Sequence, residues 1–234
     1  MRRHVVAAAI GAACLSFGLA PQASAEPLPP SGFVIDIPKP DLQQFVKPED
    51  RVFGGPSKAL NLSQQVQEKD QWCTNGVGAS IEAFHGKPIA QVDFCRAQRD
   101  LSSTQACPNE GSTTDMYYHG FVKTNFNASK AYSPIKWEQV IAEIDANRPV
   151  AVNVAWTVGG GHARAFYGYN TTGSIVNFSD PWPTEERYQT MSYNDFVKNG
   201  EFSWISTIYG ISPSGSTTPT NPTTPPRPST GSAG

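Results

Sequence analysis

Between Cys73 and Phe84 the apolar residues Val77, Ile81 and Phe84 recur at steps of four and three, the spacing of one helix face. Gly86 and Pro88 end that helix. Ile89, Val92 and Cys95 predict a second helix, and "SSTQACPNEGS" reads as a loop. "TTDMYYHGFVKTN" opens with helix-starting Thr and Asp and continues with a mixed apolar face. The most regular helical pattern is "SPIKWEQVIAEIDANRP". There Ser133 suits the cap, Pro134 the first helical position, and Ile135, Ile141 and Ile144 one side. Upstream of all these, "LNLSQQV" predicts a short extended piece.

After Arg148 the period changes from helical to alternating. Val150, Val152, Val154 and Trp156 alternate in "PVAVNVAW". "HARAFYGYN" follows a turn at Gly159 to Gly161, "GSIVNFSDPW" follows a turn around Gly173, and "FSWISTIYG" closes the pattern. These predict strands joined by short hairpins, and therefore antiparallel. Helices first and an antiparallel sheet second make an α+β arrangement.

The two ends of the chain carry a different composition. Arg2 and Arg3 precede the apolar run "VVAAAIGAACLSFGLA", and "ASA" ends it at Ala25. That is the form of a cleaved signal peptide over 1–25, and it predicts an exported protein with no inserted membrane span. Residues 26–58 are Pro-rich and read either as a pro-segment or as an arm along the domain. Residues 213–234, "PSGSTTPTNPTTPPRPSTGSAG", have almost nothing to bury and predict a disordered tail. The compact domain is thereby expected at 59–212. Removing 1–25 takes away two arginines and no acid, moving the formal charge from −2 to −4. Without a basic cluster, nucleic acid is excluded as an expected partner.

Cysteine usage adds chemistry. Cys14 leaves with the signal, and Cys73, Cys95 and Cys107 remain, an odd number for an exported chain. Oxidising surroundings favour pairing two of them, and the third thiol then needs a reason. Cys73 stands at the start of a predicted helix, where backbone N–H groups favour a thiolate. As a nucleophile it needs a base. His4 lies in the signal, and His85 is twelve residues further along the same helix, about 18 Å away. His119 lies within a helical segment, whereas His162 opens a strand after "GGG", where glycines allow close approach. Asp180, at the end of the next strand, can face His162 across the hairpin; it can equally cap its own turn. Asn177 is a second candidate to orient the imidazole. Gln67 and Gln71, six and two residues before Cys73, are candidate side-chain donors to an oxyanion. Arg164 shares a strand face with His162 and is expected in contact with substrate or, by preference, in a salt bridge away from the site.

Gln67, the Cys that opens a helix six residues later, His162 in "GGGHARAFYGYN" and Asp180 in "NFSDPW" together resemble the papain-like cysteine peptidase superfamily. The likeness is to its bacterial branch of secreted effector and bacteriocin-leader peptidases, and it extends over about 60–210. It implies a helical part packed against an antiparallel sheet, with the cleft between them. It implies Cys73 as nucleophile, His162 as base and then acid, Asp180 as orienting group and Gln67 in the oxyanion hole; Gln71 has no counterpart. With Cys73 so assigned, Cys95 and Cys107 form the disulfide, closing a loop of about 13 residues worth roughly 3 kcal/mol. Thr74 departs from the pattern, which commonly has an aromatic residue there. The resemblance implies a monomeric, secreted peptidase acting on protein or peptide, with no cofactor and no metal. The same triad order also serves peptidoglycan amidases and transglutaminases, and a domain that has lost catalysis would be a binding module.

Overall fold

The computed structural model describes residues 56–215. The expected signal segment 1–25, the arm as far as residue 55 and the tail from 216 onward lie outside the described residues. No helix among those described is long and apolar enough to cross a membrane.

Three helices come first: α1 (Cys73–Phe84), α2 (Gln91–Gln98) and α3 (Thr114–Lys123). They follow a short strand, β1 (Ser57–Ala59). The extended piece expected at 60–66 is not a strand; β1 lies just before it and pairs with the end of β4 (Gly161–Asn170). Then come β2 (Phe126–Ala131), α4 (Trp137–Asp145) and β3 (Val150–Trp156). After β4 follow β5 (Ile175–Ser179), β6 (Tyr188–Ser192), α5 (Tyr193–Val197) and β7 (Phe202–Pro213).

Helix α4 begins three residues later than its cap signals predict. Ser133 and Pro134 precede it, and the residue before its first turn, Lys136, is extended at ψ 155°. Tertiary bonds hold that approach open: Thr207 Oγ1 donates to the Ser133 carbonyl and the Tyr193 hydroxyl to that of Ile135. Two carbonyls that a helix would have used are thereby committed elsewhere.

Six strands run in the order β2-β7-β3-β4-β5-β6, every pair antiparallel, and β1 joins the end of β4. The hairpins β3–β4 and β4–β5 stand as expected. The last strand differs: β7 does not follow β5 in a hairpin but inserts between β2 and β3.

Strand alternation divides the core. Along β4, Ala163, Ala165, Tyr167 and Tyr169 join Val77 and Ile81 of α1, with Phe94, Tyr117 and Phe121 of the other helices. Phe166 faces the second cluster, with Val150, Val152, Val154, Phe178, Phe196 and Trp204. The α+β prediction therefore stands: helices on a strongly apolar antiparallel sheet.

Candidate active site

His162 is the second residue of β4, entered from a turn in which Gly159 and Gly160 have φ of 99° and 82°. Such left-handed values strain any residue with a Cβ, so the glycines set the turn that delivers the histidine. Ala165 pairs with Ser179 on β5, which brings the end of β5 alongside the start of β4. There His162 Nε2 lies 2.7 Å from Asp180 Oδ1. An ionised carboxylate only accepts, so Nε2 carries the proton in this bond. Nδ1 is the ring nitrogen left for other chemistry.

Asp180 is completely buried. Burial by itself raises its pKa, but the bond and charge of His162, then the charge of Arg164 and the Trp182 N–H, outweigh this and hold it at about 2. Trp182 N donates to the same Oδ1 at 2.8 Å. The carboxylate thus caps its own turn and binds the imidazole together. Arg187 closes the loop by donating to the carbonyls of Asp180 and Trp182.

Arg164 is in a salt bridge, but not one away from the site. Its Nε donates to Asp180 Oδ2 at 2.8 Å, beside the histidine. The reason is the pleat: residues two apart on β4 point the same way, so His162 and Arg164 reach for one carboxylate. Asn177 pairs instead with Gly168 and Thr190, further along the sheet.

Cys73 is the first residue of α1 and is buried. It is disulfide-bonded. The chain leading to it is anchored by Trp72, whose indole N–H donates to the Pro108 carbonyl at 2.9 Å. That indole packs against Cys95 and Cys107, which are bonded to each other. Thr74, where the sequence departs from the expected aromatic, is buried against Gln98, whose Nε2 donates to Thr74 Oγ1 and to Asn75 Oδ1. It joins α1 to α2 through a polar contact.

Gln67 is buried before this turn. Its Nε2 donates to the carbonyls of Lys69 and Asp70, both at 2.9 Å. Its backbone N–H donates to the carbonyl of Pro181, the residue after Asp180. A Cβ at Gly76 would come 3.1 Å from the Pro181 side chain and 3.4 Å from Gln67 Cα. Glycine there lets the first turn of α1 pack onto the loop that carries the aspartate. The described residues therefore group His162, Asp180 and Arg164 by direct bonds, with Gln67 and the first turn of α1 against Pro181. The backbone N–H of Gln71 donates to Asn109 Oδ1. His85 ends α1 beside Phe126, and His119 pairs with Asp100.

Trp182, next but one to Asp180, is expected from the sequence to shield the carboxylate; Trp156 against the imidazole is not. Trp156 lies near-parallel to the imidazole, ring centroids 6.1 Å apart at 20°, and Trp182 meets it edge-on at 6.2 Å. With His162 and Arg164 they line a cleft of about 370 Å³, whose lining also includes Asp70, Glu185 and Glu201. Trp156, two residues along β3 from Val154, the partner of His162, was readable from the alternation, but only once the register was known.

A family model described as "Papain-like cysteine protease AvrRpt2" matches residues 56–201. Among solved structures, the chain is similar to the peptidase domain of Streptococcus ComA, a bi-functional ABC transporter involved in a quorum-sensing pathway. Identity is 17%, over 64% of this chain and 96% of that one, with a TM-score of 0.47. It is also similar to xylellain, a cysteine protease from Xylella fastidiosa, at 11% identity over 68% and 86% of the two chains and a TM-score of 0.48. No curated protein matches the chain.

Proposed function

Because the chain belongs to the family of papain-like cysteine protease AvrRpt2, we propose that it is a secreted peptidase whose nucleophile is the Cys73 sulfur and whose base is His162. The bond from His162 Nε2 to Asp180 Oδ1 carries this reading. It fixes the tautomer and leaves Nδ1 to take the thiol proton.

The reaction requires the Cys73 disulfide to be open. Reduction opens it. The thiolate attacks the scissile carbonyl and forms a C–S bond as the carbonyl π electrons move to oxygen. Collapse expels the amine, which takes its proton from the His162 imidazolium. Water, deprotonated by His162, then cleaves the thioester and returns the thiol. The Cys73 N–H at the helix start stabilises the oxyanion. Gln67 joins it when the substrate oxygen displaces a Lys69 or Asp70 carbonyl from its Nε2.

The test is digestion of a peptide library by the chain lacking 1–25 in a reducing buffer, beside Cys73→Ala. Cleavage by the first and none by the second is expected. Cleavage that survives Cys73→Ala would overturn the assignment. Lysis of cell walls or Gln–Lys joining without peptide cleavage would make the chain an amidase or a transglutaminase. A biological effect retained by Cys73→Ala would make it a binding domain.

A further inference from the structure

Arg164 is a buried cation on β4, and it uses a defined acceptor. Its Nε donates to Asp180 Oδ2 at 2.8 Å, while Oδ1 receives His162 Nε2 at 2.7 Å and Trp182 N at 2.8 Å. The guanidinium carbon sits 5.3 Å from the Trp156 ring centre and 5.1 Å from those of Phe178 and Phe202. Three aromatic faces hold the cation, which in turn holds one carboxylate oxygen. The remaining groups around the carboxylate are Arg187, on the main-chain carbonyl of Asp180, and His162 itself.

A carboxylate bonded through one oxygen turns about its terminal torsion and exchanges its oxygens. One that is bonded through both has a fixed plane. Lysine in the same place would supply charge, but not the planar donor that matches a carboxylate.

We propose that Arg164 is a positioning residue: by holding Oδ2 it fixes the plane of Asp180 and keeps Oδ1 on His162 and the Trp182 N–H, and so sets the direction in which Nδ1 points. This rests on the peptidase reading for its kinetic consequence, but not for its geometric one.

The geometric test uses the Cys73→Ala chain without 1–25, so that activity plays no part. In this chain the Nε2 proton of His162, shielded and bonded to a carboxylate, should give a slowly exchanging downfield proton resonance. Adding Arg164→Met, which fills the aromatic box without a donor, should abolish or broaden it; adding Arg164→Lys should restore it in part. The kinetic test compares the same Arg164 substitutions with Cys73 intact. Loss of orientation should lower kcat of Arg164→Met by about tenfold to a hundredfold with KM little changed, and Arg164→Lys should recover part of it. A folded Arg164→Met chain that keeps both the resonance and the wild-type kcat overturns the inference. If Arg164→Met does not fold, Arg164→Lys and Arg164→Gln carry the same comparison, since Gln keeps a donor without the charge. If no peptide is cleaved by any variant, the peptidase reading fails and the resonance alone decides the role of Arg164.

Discussion

Glu82 and Thr124 meet inside the helical layer: the Thr124 hydroxyl donates to the Glu82 carboxyl, which sits buried on α1 and has no salt bridge among the described residues. Burial pushes its pKa up from 4.5 to about 7, against the smaller opposing effect of the Thr124 bond. The folded state therefore holds this proton more tightly than the unfolded chain does. The stability it contributes is complete below pH 4.5 and is lost as pH rises through about 7. At that end the loss is about 3 kcal/mol. Glu82→Gln should raise stability by that order at pH 8 and leave it unchanged at pH 4. Urea denaturation at the two pH values measures this.

Asp180 behaves in the opposite sense. Its folded pKa, about 2, lies below the ordinary 3.8, so its contribution is present above pH 3.8 and is lost as pH falls through about 2. Asp180→Asn leaves Arg164 buried without its anion. A loss of about 3 to 5 kcal/mol is expected at neutral pH, readable as a lower urea midpoint. The same variant should show no further loss on acidification from this site.

His162→Ala should lower kcat/KM on a cleaved peptide by about a hundredfold to ten-thousandfold. Near-ultraviolet circular dichroism should confirm that the Trp156 and Trp182 environment survives. A fall of less than tenfold would mean that another group takes the thiol proton.

Replacing Cys95 and Cys107 by serine opens a loop of 12 residues' separation. The chain-entropy model puts the cost at roughly 3 kcal/mol. Because Trp72 packs on this bridge and directly precedes Cys73, the loss should extend to the site. Hydrogen exchange at the first turn of α1 should accelerate more than at its last turn.

The helices α1 to α3 were legible from the spacing of their apolar residues, β3 from its alternation, and β4 and β5 from the glycine turns that precede them. β2 was not, because it lies at the edge of the sheet and only Phe126 is buried on it. The five-residue α5 has too few turns to show a period. The start of α4 was misread because its cap signals are local, while the bonds from Thr207 and Tyr193 that override them come from far along the chain. At the site, the pairing of His162 with Asp180 could be read from hairpin arithmetic. The pairing of Arg164 was visible only as a shared strand face, and the identity of its partner depended on the register with β5.

The place of β7 has a consequence for how the molecule comes into being. The last of the described strands to leave the ribosome occupies the interior of the sheet, between β2 and β3. Until residue 213 is available, those two strands have no neighbour to pair with there, and Phe202 is missing from the aromatic box around Arg164. Such long-range pairing is slow and concerted. A growing or truncated chain therefore holds His162, Arg164 and Asp180 well before it can hold the packing that fixes them.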